Sequence, residues 1–182
     1  MRTGVVILGA GIGAAFALYL YSRTDKGAAV VSDIADSTGE TVSNVVSAVR
    51  GIRNNNPGNI RKGADKWQGL APDQTDPAFL RFVSMAYGVR AMVKIIRNYS
   101  TRYNLNTVGE IINRWAPPTE NNTGAYARAV ADALRVTTTA RIDVDDAATM
   151  FSLVRAIIAH ENGRIAAMLV SDSSVWQGIE LA

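Results

Sequence analysis

Residues 4–21 (GVVILGAGIGAAFALYLY) carry no charged side chain. As a helix rising roughly 1.5 Å per residue, about 18 residues span about 27 Å, close to the thickness of a bilayer core. Tyr19 and Tyr21 followed by Arg23 and Lys26 at one end, and Arg2 at the other, stand where interfacial anchors belong. The run is long for a secretory signal and no clear small-x-small cleavage site follows it, so it reads as one transmembrane helix. The same residues contain Gly9-x-Gly11-x-x-Ala14, outwardly a dinucleotide fingerprint. That fingerprint needs a βαβ unit, and the polar, helix-prone stretch that follows does not supply one. Gly9 and Gly13 are read instead as a small-residue face permitting close helix contact.

Residues 22–49 read as a helical stalk or linker: Val31, Ala35, Thr38, Val42, Val45 and Val49 recur at spacings of four and three, interrupted at Gly39. Residues 50–182 have room for one globular domain. The whole chain of 182 residues is 48% hydrophobic and 19% charged, which suits a packed core and excludes a disordered chain. With no cysteine and a single histidine, His160, it can build neither a disulfide nor a two-histidine zinc site. No metal and no cofactor are expected. Residues 50–182 hold 16 Lys and Arg against 12 Asp and Glu, a surplus that suits a polyanionic partner such as a cell wall. The arginines do not gather on one helix face, which disfavours nucleic acid.

The domain opens on GIRNNNPGNIRKGADKWQG, too rich in turn residues for a regular helix. Its Asn55, Asn56 and Asn59, with Arg61 and Trp67, suit a sugar: amides donate and accept in pairs, and an aromatic ring offers a platform for a pyranose face. The same asparagines could equally cap their own turns. Phe79–Val83 reads as a short strand, and Ser84 as the cap of a helix running to about Tyr103 with Val89, Met92, Val93, Ile96 and Tyr99 on one side. Thr107-x-x-Glu110 is a capping box for a helix that Pro117-Pro118 stops. Further helices are expected from Thr123 to Leu134, from Asp146 to Asn162 and from about Ser173. The fold class is mainly α: about five helices with at most a small β-hairpin, preceded by the transmembrane helix.

Two carboxylates are candidates for acid chemistry. Met150, Phe151, Val154, Ile157 and Ile158 form an apolar stripe whose next member in the 150, 154, 157 series is Glu161. There the carboxyl is partly withdrawn from water and faces the negative end of the helix dipole; both effects favour its protonated form, as a general acid requires. A solvated terminal Glu is the alternative. Glu120 lies in the loop WAPPTENNT, where it serves either chemistry or the N-terminus of the following helix. Trp115 could stack on a sugar ring.

Together GIRNNNPGNIR, WQG, Phe79-x-x-Phe82, YGVRAM, WAPPTENNTGAY and AIIAHENG resemble a family of phage virion-associated peptidoglycan-degrading proteins with a lysozyme-like or lytic transglycosylase fold, over residues 50–180. Wall-cleaving relatives carry a helix ending in Glu-Ser-Gly, then an Asn-rich loop N-N-x-x-G-I-K, then Tyr followed four residues on by Val. His160-Glu161-Asn162-Gly163 is similar to the first, Asn55–Arg61 to the second and Tyr126 with Val130 to the third. The Glu motif comes last here, which a circular permutation explains if its helix packs beside residues 54–61. The resemblance implies a membrane-anchored, virion-associated enzyme cutting the MurNAc–GlcNAc bond during phage entry or exit. Its catalytic acid would be Glu161, alternatively Glu120, with Asn55, Asn56, Asn59, Arg61, Trp67, Trp115, Tyr126 and Asn162 on the substrate. Peptidoglycan is the expected partner, with the membrane through residues 4–21, and other virion proteins or a second copy through the N-terminal helix. A non-catalytic virion protein that binds murein or its neighbours is the alternative.

Overall fold

The computed structural model describes residues 49–119 and 122–182, and the chain divides between Ala48 and Val49. The expected stalk at 22–49 falls almost wholly outside the described residues. Seven helices follow: α1 (Arg50–Arg53), α2 (Met85–Tyr103), α3 (Val108–Trp115), α4 (Thr123–Leu134), α5 (Ala147–Asn162), α6 (Arg164–Ala167) and α7 (Asp172–Glu180). The five longer ones match the expected helices; α1 and α6 are single turns that periodicity cannot detect.

One expectation is overturned. Among the described residues no helix is long and apolar enough to cross a membrane. Residues 4–21, where a transmembrane helix was expected, lie outside them, so the fold is described as a mainly helical domain without that element.

Helix α5 is the axis of the domain, touching α1, α2, α4, α6 and α7. Its Met150, Leu153, Val154, Ile157 and Ile158 are fully buried, and each such side chain contributes roughly 1.5–3 kcal/mol through burial. Phe151, expected in the stripe, is only half-buried and stacks on Trp176 of α7 at 4.5 Å. Asp146 caps the helix, its carboxylate accepting from the Thr149 amide. The capping box of α3 forms with Glu110, while Ser84 takes the cap position of α2 without a side-chain cap bond. Helix α7 lies close on α2 because residue 178 is glycine: a Cβ there would stand 2.5 Å from Val89 Cγ1.

The loop between α1 and α2 contains isolated antiparallel bridges, Arg61 with Phe79 and Leu70 with Phe82, in place of a regular hairpin. The asparagine run organises it. Asn56, fully buried, accepts from the Ile60 amide and donates to the carbonyls of Ile60 and Leu80. Asn55, at φ 50°, donates to the Phe82 carbonyl, and Asn54 donates to buried Asp76. Leu80, Phe82 and Ala91 form a small core on which Trp67 and Tyr87 pack.

Candidate functional site

The last turn of α5 delivers Glu161 against three other segments. Trp115 Nε1, at the end of α3, and the Tyr126 hydroxyl, in α4, both donate to Glu161 Oε1 at 3.1 Å. Asn59 Nδ2 donates to Oε2 at 3.2 Å, from a left-handed backbone turn at φ 48°. Asn162, the next residue of α5, donates to the Pro57 carbonyl at 2.7 Å and to the Ile158 carbonyl at 3.0 Å. The helix ending in Glu161 therefore packs beside the asparagine loop.

Close packing lets this happen. A Cβ on Gly58 would lie 2.9 Å from the Trp115 ring and 2.8 Å from Met92, so the indole rests directly on the loop backbone. A Cβ on Gly51 would lie 2.1 Å from Asn162 Oδ1 and 3.0 Å from Asn59 Oδ1. Both amide oxygens are buried, without a hydrogen-bond donor among the described residues. They turn toward the bare Gly51 Cα, where weak Cα–H···O contacts are available.

The Tyr126 ring is buried and stacks on the exposed His160 at 3.5 Å. Burial first, then the facing Glu161 charge and the hydrogen bond to it, push the Tyr126 phenol well above its usual range. It acts as a neutral donor and not as a base. Val130, the partner of Tyr126 in the motif, is core.

Glu161, Asn59, Arg61 and Trp115 line an open groove of about 500 Å³, with Tyr99 of α2 and Arg114 of α3 on its walls. The Arg114 guanidinium lies 4.5 Å over the Tyr103 ring and 6.0 Å over Tyr99. Ile60, Arg61, Ile95 and Tyr99 continue into a second lobe that contains Trp67. Glu161 is the one carboxylate lining the first lobe among the described residues.

The predicted residues thus separate into three groups. Glu161, Asn59, Arg61 and Trp115 line the first lobe, Trp67 the second; Tyr126 stands behind Glu161 and donates to it, and Asn162 ties the end of α5 to the Pro57 carbonyl. Asn55 and Asn56 are corrected: their side-chain amides are engaged by backbone within the loop, and Asn56 has no access to a ligand. Glu120 lies outside the described residues. Tyr99 and Arg114 are site residues that the sequence motifs do not single out; the signals were Tyr99 itself on the apolar side of α2 and Arg114 beside Trp115.

No family model matches the chain. Over 119 residues, 64% of this chain and 72% of the other, it is 37% identical to Protein P5 of Pseudoalteromonas phage PM2. A resemblance at that level over most of the relative places the chain plainly: it belongs to the family of this phage protein.

Proposed function

We propose that the domain is a virion-associated peptidoglycan lyase of the lytic transglycosylase type, cutting the MurNAc–GlcNAc bond during phage entry or exit with Glu161 as its acid. The observation that carries the reading is the position of Glu161: a carboxyl in an open groove, held by three neutral donors supplied by three other segments of the chain. Membership of a phage protein family supports the setting, and the motifs around Glu161 and residues 55–61 support the chemistry.

A protonated Glu161 gives its proton to the glycosidic oxygen as the C1–O bond breaks. The resulting carboxylate takes the proton of the sugar's own 6-hydroxyl, and O6 closes on C1 as a 1,6-anhydro ring. One acid serves both steps, where hydrolysis ordinarily uses two carboxylates. Trp115 and Tyr126 hold Oε1, which directs the other oxygen, beside Asn59, to the sugar. Arg61 and Trp67 stand along the groove where neighbouring rings would lie.

Purified full-length chain is expected to clear insoluble murein, and Glu161→Gln to lower the rate by about 100-fold or more, the scale of general acid catalysis. Its melting temperature should be retained. Clearing by Glu161→Gln at the wild-type rate contradicts the assignment.

The same hydrogen bonds favour a second reading, a non-catalytic murein-binding virion protein in which Glu161 ties α3, α4 and α5 to the loop. On that reading Glu161→Gln lowers the melting temperature, and the wild-type chain sediments with murein without clearing it.

A further inference from the structure

The second lobe of the groove, about 860 Å³, differs from the first in its charge. Arg61, Lys66, Lys94, Arg97 and Arg102 line it, against Asp65 as its one acid among the described residues. Four of the lining side chains, Lys94, Asn98, Thr101 and Arg102, recur at helical spacing along one face of α2. Some of the charge is engaged: Arg97 Nε lies 3.5 Å from Asp145, and Lys94 Nζ donates to the Ala182 carbonyl. Lys66 is exposed in the loop and Arg102 exposed at the end of α2, and among the described residues neither forms an ion pair.

From the continuity of the lobes and the larger cationic surplus of the second we infer that the basic lobe binds the carboxylates of the peptide stems that branch from a glycan lying across Glu161. This rests on the proposed glycan-cleaving function and names a second feature of its substrate. An occupant of the whole groove passes from a wall carrying Glu161 with Arg61 and Arg114 to a wall carrying five cations against one acid, through Ile60, Arg61, Ile95 and Tyr99. A polymer with a negative charge on every unit, such as a nucleic acid, would put one of them beside Glu161. A neutral sugar chain with acidic branches sets an uncharged ring beside Glu161 and leaves its branches to reach the second lobe. Guanidinium groups match carboxylates in fork geometry, and Tyr99 supplies apolar surface for the stems of the branches.

The test compares sedimentation of the full chain with intact murein and with glycan strands stripped of their peptides by an amidase. Wild-type protein is expected to bind intact murein about tenfold more tightly, the scale of two exposed ion pairs. That preference should weaken as salt rises. The double variant Lys66→Gln/Arg102→Gln should lose most of the preference with its melting temperature unchanged. An unchanged preference in the double variant, or equal binding of both substrates by wild type, overturns the inference. So does salt-sensitive binding to single-stranded DNA, abolished in the double variant, when the two mureins are bound alike. Because the readout is binding, it is separate from the proposed chemistry: a chain that shows the preference but never clears murein sinks the lyase and leaves the lobe standing.

Discussion

Asp76, in the loop beside α1, and Glu161, at the end of α5, each accept three hydrogen bonds, but the character of their donors differs. Asp76 is almost wholly buried, accepts from the Asn54 amide and the Ala78 and Phe79 backbone, and faces Arg50 and Arg53 at 3.5 and 3.9 Å. The Asn54 bond first, then the Ala78 amide, and beyond the opposing effect of burial the Phe79 amide and the Arg50 charge, lower its carboxyl from 3.8 to about 2. Glu161 is only half-buried, and among the described residues its donors are an indole, a phenol and an amide with no cation paired to it. Neutralising Asp76 removes a counter-charge of Arg50 and Arg53, whereas Glu161 has no such cation among the described residues. The number of donors is the same; the charge of the partners is not. The ion-paired Asp76 reads as a structural anion, and Glu161 is the acid of the proposed reaction.

The sharpest way to break this contrast is to disturb the backbone between the two sites. Gly51→Ala drives a methyl group into Asn162 Oδ1 and toward Asn59, so Glu161 loses its alignment. Murein clearing should fall by about 100-fold, and overpacking should cost about 1–3 kcal/mol in denaturant unfolding. Normal clearing in this variant would mean that the asparagine loop does not position the acid.

A second test acts on Asp76 alone. Its carboxyl titrates lower in the folded chain than the ordinary 3.8, so its contribution to stability is complete above that pH and fades as pH falls toward about 2. Asp76→Asn should therefore melt lower than wild type at neutral pH, with the gap closing across that acidic interval. At neutral pH, clearing per folded molecule should be unchanged. A gap constant with pH would remove the electrostatic account.

The smallest effect is expected for Tyr126→Phe. It leaves Trp115 on Oε1 and the stack with His160 in place, so stability should change by about 0.5–1.5 kcal/mol. Clearing should fall by about tenfold, because one of the two donors to Oε1 is lost. A variant with full activity would assign the aim to Trp115.

Much of the architecture was legible because it is local. The α5 stripe, the capping box at Thr107 and Glu110 and the proline stop after Trp115 are all set by residues within a few positions of each other. Glu161 was visible as an acid at the end of an apolar stripe, and Asn59 as part of an amide-rich loop. What no local pattern contains is their pairing across 102 positions. The same limit explains Asn55 and Asn56: an amide that serves a sugar and one that ties down a loop have the same composition, and only the location of Leu80 and Phe82 tells them apart. The basic lobe escaped notice because its cations come from a loop and from α2, each unremarkable by itself.

Mass spectrometry of the soluble fragments released from murein by the full-length chain tests the central claim most directly. A single acid at Glu161 predicts muropeptides ending in 1,6-anhydro rings, produced by wild type and missing from digests with Glu161→Gln. Fragments with reducing muramic ends, free stem peptides, or an identical product profile from both proteins would contradict it.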